Sequence, residues 1–338
     1  MTLQNVTVII PAHNRPERLR RLLDYYSRTD IKILIPDSSD LPFADAKKYP
    51  NAVYLHRPKL HFLLKLNEVL PMIDTPYVLY CADDDFTVPA AIVQMAAFLE
   101  EHPDYSSVQG HYLTFTPHKG DIAFYPRYIR YFDQRVTDET SRERLLGEKN
   151  MYASLLYSVT RTTVFQRMYA TCFNPDGSLR FRNLFLAEEF FNHAALIFGK
   201  YATLPYFYSA RERIAGSATE TTVPVSVIKT SPQYQSEYQG FLLALAELLT
   251  KQEGGTIEEA LVFIRTICDM PRDTAEVSGK RKIMEFTHKY APLRWVNKLA
   301  DWRYVQKGLK AVKGMDSYPC TFSTPEKEEI IRAISCTL

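Results

Sequence analysis

The stretch YVLYCADDD, residues 77–85, decides the fold, because an apolar, strand-forming run leads directly into three consecutive aspartates. An unbroken apolar run predicts a strand buried on both faces, as in a parallel sheet. Asp83, Asp84 and Asp85 then lie at the carboxyl end of that strand, where such sheets bind their ligands. Neighbouring half-buried carboxylates repel one another, and a hard divalent cation offsets the repulsion. The stretch therefore indicates a metal site, with a solvated acidic turn as the alternative.

Strand and helix patterns alternate over the first 115 residues and beyond. Strands are predicted at 6–10, 31–35, 77–81, 108–115 and 122–125, and helices through Tyr26, over 60–70 and through Glu100. Such alternation predicts an α/β fold with a mostly parallel, doubly wound sheet. The polar segments that follow three of these strands, at 11–13, 37–39 and 83–85, are then expected to converge on one crevice.

Length and composition fit a cytoplasmic enzyme. The 338 residues are 46% hydrophobic, and 41 basic against 39 acidic residues give a formal charge of +2, which indicates no nucleic-acid partner. Five widely spaced cysteines without a Cys-x-x-Cys pair predict neither a disulfide framework nor a zinc site. No charged-then-apolar leader opens the chain, and no run approaches the ~18 apolar residues that span a bilayer.

The first helix has a predicted start and a predicted exposed face. Asn14 is expected to cap it, and Glu17 stands where a capping-box acid reaches back. Arg18, Arg20 and Arg21 are expected to form a solvated face.

A second acidic pair, Glu188 and Glu189, falls inside the helical pattern 184–198. Apolar neighbours would partly desolvate the pair, which raises the pKa of a carboxyl group and makes it a better general base. His193 follows Glu189 by four residues and so shares its helical face, where it could orient the base or bind a metal. The alternative is an ordinary surface or core histidine.

A basic segment follows the next predicted strand. Arg211 and Arg213 precede Gly216 and Ser217, and arginine forks suit diphosphate oxygens while small residues permit a lid that orders on binding. The alternative is a surface loop with salt bridges.

The chain turns helical from about residue 226. Helices are predicted at 241–249, 257–267, 295–312 and 326–334, so we expect a catalytic domain at 1–220 and an α-helical region at 221–338. Residues 280–313 hold ten Lys or Arg against two acids, with Trp295 and Trp302 at helical spacing. This basic amphipathic segment either packs on the catalytic domain or on a second copy in a homodimer, or lies peripherally on the inner face of an anionic membrane near a lipid-linked acceptor.

Together these motifs resemble family 2-like glycosyltransferases of the GT-A fold. The resemblance covers roughly residues 3–218 and rests on five segments in order: VTVIIPAHNRP at 6–16, DSS at 37–39, TPYVLYCADDDF at 75–86, the acidic pair at 188–189, and Gly199-Lys200 with the strand after it. It implies transfer of a sugar from a nucleotide-diphosphate donor, most simply a UDP-sugar, to a hydroxyl of a glycan or lipid-linked acceptor. Synthesis of a surface polysaccharide or glycoconjugate is the implied setting.

The resemblance also implies residue roles. The donor pocket would contain Pro11, His13, Arg15, Asp37, Lys65, Asp83, Asp84, Arg211 and Arg213. Lys65 is the weaker candidate among them, with a solvated lysine as the alternative. Asp85 and Asp83 would bind Mn²⁺ or Mg²⁺, with His193 as a further candidate ligand. Glu189 would take the acceptor proton, which predicts inversion.

Two departures from the family pattern leave alternatives open. His13 stands where Tyr or Phe is common, and the acidic pair ends in Glu rather than Asp, so the base could be Glu188 and a retaining reaction stays open. The aspartates also match the nucleophile loop of haloacid-dehalogenase-like phosphatases, although Gly120-Asp121 lacks the second Asp that such enzymes need. A non-catalytic scaffold that binds a partner is the third hypothesis.

Overall fold

The structure, a computed structural model, describes residues 1–118, 121–127, 134–147, 155–213, 222–270 and 324–335. Within these ranges the strands form one ten-stranded sheet. The strands are β1 Val6–Ile9, β2 Lys32–Asp37, β3 Ala52–His56, β4 Tyr77–Tyr80, β5 Phe86–Thr87, β6 Tyr105–His118, β7 Asp121–Arg127, β8 Arg135–Val136, β9 Val159–Arg161 and β10 Lys200–Glu212. The helices are α1 Pro16–Tyr26, α2 Phe62–Val69, α3 Pro89–Glu101, α4 Ser141–Gly147, α5 Thr162–Ala170, α6 Leu184–Phe198, α7 Val225–Thr230, α8 Gln235–Glu253, α9 Ile257–Asp269 and α10 Thr324–Ser335.

One half of the sheet is parallel. Strands β3, β2, β1 and β4 lie side by side in that order, with Val8 of β1 opposite Ile33 of β2 and Leu79 of β4. The predicted α/β class is therefore confirmed. The sequence analysis missed β3, a short edge strand of five residues that is only partly buried.

The other half of the sheet is mixed. It continues in the order β9, β6, β10 and β5, where β9 is antiparallel to both β4 and β6, β6 is parallel to β10, and β5 is antiparallel to β10. Strands β7 and β8 pair at the side with β6 and β10. Parallel pairing therefore dominates only the first four strands, and β9 and β5 are too short to leave a period in the sequence.

Helices cover both faces of the sheet. Val8 and Ile10 point into a core shared with α1, α3 and α10, whereas Ile9 between them points into a second core with α2, α5, α6, α8 and α9. Alternate residues of a strand face opposite sides, so a continuous apolar run serves both cores.

The C-terminal helices join these two layers separately. Phe241 of α8 is buried in the α6 core, whereas Ile330 and Ile334 of α10 are buried beside Leu22 of α1. These helices confirm the predicted helical region, while the predicted helix at 295–312 and the basic segment lie outside the described residues. The predicted boundary at 220 stays a prediction. Among the described helices, none combines the length and apolar character needed to cross a membrane.

Strands β6 and β10 approach each other closely at Gly110. A Cβ atom there would lie 2.6 Å from the Tyr206 carbonyl oxygen and 2.7 Å from the Tyr208 Cβ. Only a residue without a side chain fits this position.

Candidate active site

The polar segments that follow β1, β2 and β4 meet at one edge of the sheet, as predicted. Ala12 forms a parallel bridge with Asp37, and the Ser38 backbone N–H donates to the Ala12 carbonyl at 3.0 Å. The His13 backbone N–H approaches Asp83 Oδ2 at 3.4 Å. These contacts follow from parallel pairing, which aligns the carboxyl ends of neighbouring strands.

Asp83 and Asp84 share an arginine from the turn after β1. Arg15 Nη1 donates to Asp84 Oδ2 at 2.8 Å and to Asp83 Oδ1 at 3.3 Å. Burial, with the charge of Asp84 adding to it, raises the pKa of Asp83 to about 7. Asp83 is therefore a carboxylate whose charge the protein alone only partly stabilises.

Asp85 is held by the end of β10. Arg211 Nε donates to Asp85 Oδ2 at 2.8 Å, and the Glu212 backbone N–H donates to Oδ1 at 3.1 Å. Antiparallel pairing of β5 with β10 brings these residues together across 126 positions of sequence. Burial raises the pKa of Asp85 to about 6 even though Arg211 opposes the shift.

The buried oxygens of Asp83 and Asp85 suit a hard divalent cation. Each oxygen of Asp85 accepts one hydrogen bond, so acceptor capacity remains on both atoms. Within the described ranges, however, no three His, Cys, Asp or Glu side chains form a group that could hold a metal ion. Substrate or water oxygens would therefore have to complete the coordination, as is common for Mg²⁺.

His193 does not join the aspartates in such a group. Its Nδ1 lies 2.7 Å from the carbonyl oxygen of Glu189 one helical turn earlier, and its ring packs edge-on against Phe241 of α8. These are the surroundings of a core histidine, the alternative that the sequence left open.

Asp37 is buried at the end of β2 with both oxygens engaged. Oδ1 accepts from the backbone N–H and the hydroxyl of Ser39, and Oδ2 accepts from the Tyr54 hydroxyl at 2.7 Å. Tyr54 lies on β3, the strand that the sequence patterns missed. Sequence spacing therefore gave no sign of this partner.

Lys65 lies inside the predicted crevice rather than in solvent. Its Nζ donates to the Ala12 carbonyl at 2.6 Å and lies 3.0 Å from Ser38 Oγ, and the residue is 4% exposed. Burial lowers its pKa to about 8. The solvated-lysine alternative is therefore wrong.

His13 lies beside the same Ser38, with its ring Nδ1 3.1 Å from Ser38 Oγ, and Pro11 before it is buried.

Asn14 does not cap α1. It adopts a left-handed conformation with φ 53°, and its Oδ1 accepts from the Asp40 backbone N–H at 2.9 Å. Arg15 occupies the cap position without a side-chain capping bond, and α1 begins at Pro16. The Asn14 side chain instead ties the turn after β1 to the turn after β2.

The predicted solvated face of α1 is wrong for Arg21. Arg21 is 6% exposed and its Nη2 donates to Glu212 Oε2 at 2.6 Å, while Arg18 donates to both carboxylate oxygens of Glu212. Only long-range folding supplies this partner, so the local pattern could not reveal it. Arg20 matches the expectation more closely, since it is partly exposed and pairs with Asp45.

The acidic pair of α6 is half-buried, as expected. The Glu189 carboxylate lies 4.0 Å from His193 Nδ1. Burial raises the pKa of Tyr157, and among its charged neighbours Arg211 opposes this shift while Glu188 and Asp85 add to it. Tyr157 therefore lies near both Glu188 and the aspartates, with the Arg211 guanidinium 4.1 Å from its ring centroid. Tyr157 is a site residue that sequence reasoning missed.

Arg213 is the last described residue of the basic segment. Its backbone N–H donates to the Phe115 carbonyl at 3.0 Å. The predicted lid residues Gly216 and Ser217 lie outside the described residues.

Residues 7–168 match the family described as glycosyl transferase family 2. No curated protein matches the sequence. Among solved structures, the chain is similar to S. aureus TarS 1-349, with a TM-score of 0.53 and 14% identity over 100% of this chain and 90% of that one. It is also similar to a longer S. aureus TarS chain, with a TM-score of 0.50 and 18% identity over 90% of this chain and 49% of that one.

At these identities the two structures establish the fold. The chain spans about half of the longer TarS chain. The family match covers the strand that carries the aspartates, so a haloacid-dehalogenase-like interpretation of Asp83 and Asp85 is no longer supported.

Proposed function

From the match of residues 7–168 to glycosyl transferase family 2, we propose that the chain transfers a sugar from a nucleotide-diphosphate donor to a hydroxyl of a glycan or lipid-linked acceptor. A UDP-sugar is the simplest donor, and synthesis of a surface polysaccharide or glycoconjugate is the proposed setting. The convergence of Asp37, Asp83, Asp85 and Arg211 at one sheet edge is the observation that carries the proposal.

The ends of β1 and β2 support a site for the nucleoside. Asp37 is a buried acceptor, and the exposed His13 ring lies beside Ser38 at the rim. Such a rim suits stacking of a base, and a carboxylate suits the donors of a base or ribose. Lys65 below them places a cation close to Asp37 and Asp83, whose charges favour its protonated form.

Asp83 and Asp85 would hold Mn²⁺ or Mg²⁺ as oxygen ligands. When bound, such an ion stabilises the negative charge that develops on the departing diphosphate. The raised pKa values of both carboxyls support this proposal, because a nearby cation would stabilise the charged forms that burial disfavours. Arg211 and Arg213 add charge at the same end of β10 and are suited to diphosphate oxygens.

The acidic pair of α6 would supply the general base. Resemblance assigns this role to Glu189, whereas the nearness of Glu188 to Tyr157, whose ring packs against Arg211, favours Glu188. The base takes the proton of the acceptor hydroxyl as its oxygen attacks the anomeric carbon from the face opposite the leaving diphosphate. This course inverts the configuration.

Calorimetric titration with UDP, GDP, CDP and CMP, each with and without Mn²⁺, tests the proposal. We expect one nucleoside diphosphate to bind, with tighter binding when Mn²⁺ is present. Binding of CMP alone would point instead to a donor activated as a monophosphate. If no nucleotide binds, the proposed donor class is wrong.

A further inference from the structure

Glu212, the last residue of β10, binds two arginines of α1 through its carboxylate. Its Oε1 accepts from Arg18 Nη2 at 3.0 Å, and its Oε2 accepts from Arg18 Nε at 3.1 Å and from Arg21 Nη2 at 2.6 Å. The Arg21 and Glu212 side chains are 7% and 9% exposed. Arg21 and Glu212 are therefore packed together largely out of water, whereas the Arg18 side chain is 34% exposed.

This cluster touches the aspartate segment at two points. The Glu212 backbone N–H donates to Asp85 Oδ1 at 3.1 Å, and Arg21 Nη2 donates to the Asp84 carbonyl at 3.1 Å. The Arg21 guanidinium also lies 5.0 Å from the ring centroid of Phe86, the residue after Asp85. Glu212 thus bonds directly to the proposed ligand Asp85, and Arg21 bonds to its neighbour Asp84.

Glu212 is the acid that pairs with both arginines of α1 beside the aspartate segment. Arg15 pairs with Asp83 and Asp84, Arg211 pairs with Asp85, and Arg18 and Arg21 pair with Glu212. Glu212 raises the pKa of Arg18 by its hydrogen bonds, and the charges of Asp84 and Asp83 add to the effect. Arg18 therefore lies in the field of the aspartates while its hydrogen bonds go to Glu212.

We propose that Glu212 is a positioning residue that neutralises Arg18 and Arg21 and keeps them off the aspartates, so that Asp83 and Asp85 stay available to a divalent cation. Without the Glu212 charge, Arg18 and Arg21 lose their carboxylate partner. The Arg21 charge is buried and the Arg18 charge is partly exposed, and both lie beside the carboxylates of the aspartate segment, which would become their new partners. Both the competition and the added positive charge weaken cation binding.

The chain offers a matched pair of the same chemistry elsewhere. Arg180 donates to both oxygens of Glu247 at 2.9 Å, and this pair joins the segment before α6 to α8. Within the described part of the chain, neither side chain bonds to the aspartates. Glu247→Gln therefore removes a partly buried arginine partner and leaves the charge around Asp85 unchanged.

The inference rests on the proposed function, and Mn²⁺ binding tests it without any measurement of activity. Free Mn²⁺ is followed by electron paramagnetic resonance in the presence of saturating UDP. We expect Glu212→Gln to raise the half-saturating Mn²⁺ concentration by about tenfold, and Glu247→Gln to leave it unchanged. Arg18→Gln combined with Glu212→Gln restores the charge balance and should recover most of the affinity.

Normal Mn²⁺ binding by Glu212→Gln overturns the inference, and so does an equal loss in Glu247→Gln, which would mark a general effect of a broken ion pair. A wild-type chain that binds neither Mn²⁺ nor UDP refutes the proposed function and this inference with it. If Glu212→Gln does not fold, Arg18→Gln alone decides: unchanged or tighter Mn²⁺ binding supports the role of Glu212, and weaker binding contradicts it.

Discussion

The parallel half of the sheet, β3-β2-β1-β4, and the mixed half, β9-β6-β10-β5, contribute to the site in different ways. In the parallel half, the contacts join short turns at neighbouring strand ends, as between Ala12 and Ser38, or join these turns to α2, as between Ala12 and Lys65. In the mixed half, they join α1 and the aspartate segment to the far end of β10, as between Arg21 and Glu212. In the proposed site, the first half would hold the nucleotide, and the second would set the charge around Asp85.

This division has a consequence for substitutions. Changes in the parallel half should alter affinity for the nucleotide, whereas changes in the mixed half and in α6 should alter the response to the metal and the rate of transfer. Asp85 belongs to both halves, because it follows β4 and is held by Arg211 and Glu212 of β10. The largest effect is therefore expected there.

Asp85→Ala should lower the rate of transfer by about 10³-fold and make UDP binding insensitive to Mn²⁺, because it removes a proposed oxygen ligand. Calorimetry with and without Mn²⁺, together with an assay of sugar transfer, measures both effects. Asp45→Ala is the matched control, since Asp45 is also an aspartate paired with an arginine, Arg20. Mn²⁺-dependent UDP binding that survives in Asp85→Ala would remove this residue from the metal site.

The α6 pair provides the next test, and it separates binding from chemistry. Glu188→Gln should lower the turnover number by about 10²-fold or more while UDP affinity stays normal, because a general base acts only on the acceptor proton. Glu189→Gln should have the smaller effect. The reverse order would return the base to Glu189, the assignment that the family resemblance implies. If both variants turn over at the wild-type rate, the pair takes no part in catalysis.

The two halves also differ in how much the sequence could predict. Continuous apolar runs mark β1, β2 and β4, and the polar residues behind them fix the crevice, so Asp37 and Asp83 could be placed from the sequence. Glu212 could not, because its partners Arg18 and Arg21 lie more than 190 residues away. Tyr157 ends a three-residue 3-10 helix, Leu155–Tyr157, which is too short to leave a period in the sequence. Asn14 is a residue type that often caps helices, yet its side chain accepts a hydrogen bond from the Asp40 backbone N–H instead.

The close approach of β6 and β10 makes the mixed half sensitive to an added methyl group. Gly110→Ala places a Cβ 2.6 Å from a carbonyl oxygen, so the strands must separate and the free energy of unfolding should fall by about 1 to 3 kcal/mol. Urea denaturation measures this change. Gly147→Ala is the control, because its nearest neighbour is the flexible Asp138 carboxylate at 3.3 Å. A neutral Gly110→Ala would mean that β6 and β10 can relax apart without loss.

The smallest expected effect lies in the parallel half, in the pH dependence of stability at Lys65. Burial lowers the pKa of this lysine from 10.5 to about 8, so between these values the unfolded chain binds the proton that the folded chain has lost. Stability from this group therefore rises as pH increases through that window. Lys65→Met removes this pH-dependent contribution. The free energy of unfolding of wild type relative to the variant should therefore rise by about 1 to 2 kcal/mol between pH 7 and 9.5.

Comparison with Lys65→Met is needed because other groups act in the opposite sense in the same pH range. Burial raises the pKa of Cys81 and of Tyr26, so the unfolded chain loses their protons first and stability falls with pH. Those contributions are common to both chains and cancel in the difference. Lys48→Met, which removes a largely exposed lysine, should show no such slope. If the difference in the free energy of unfolding between wild type and Lys65→Met does not change with pH, Lys65 keeps its proton to higher pH. A cation then stays beside Asp37 over the whole pH range of the measurement.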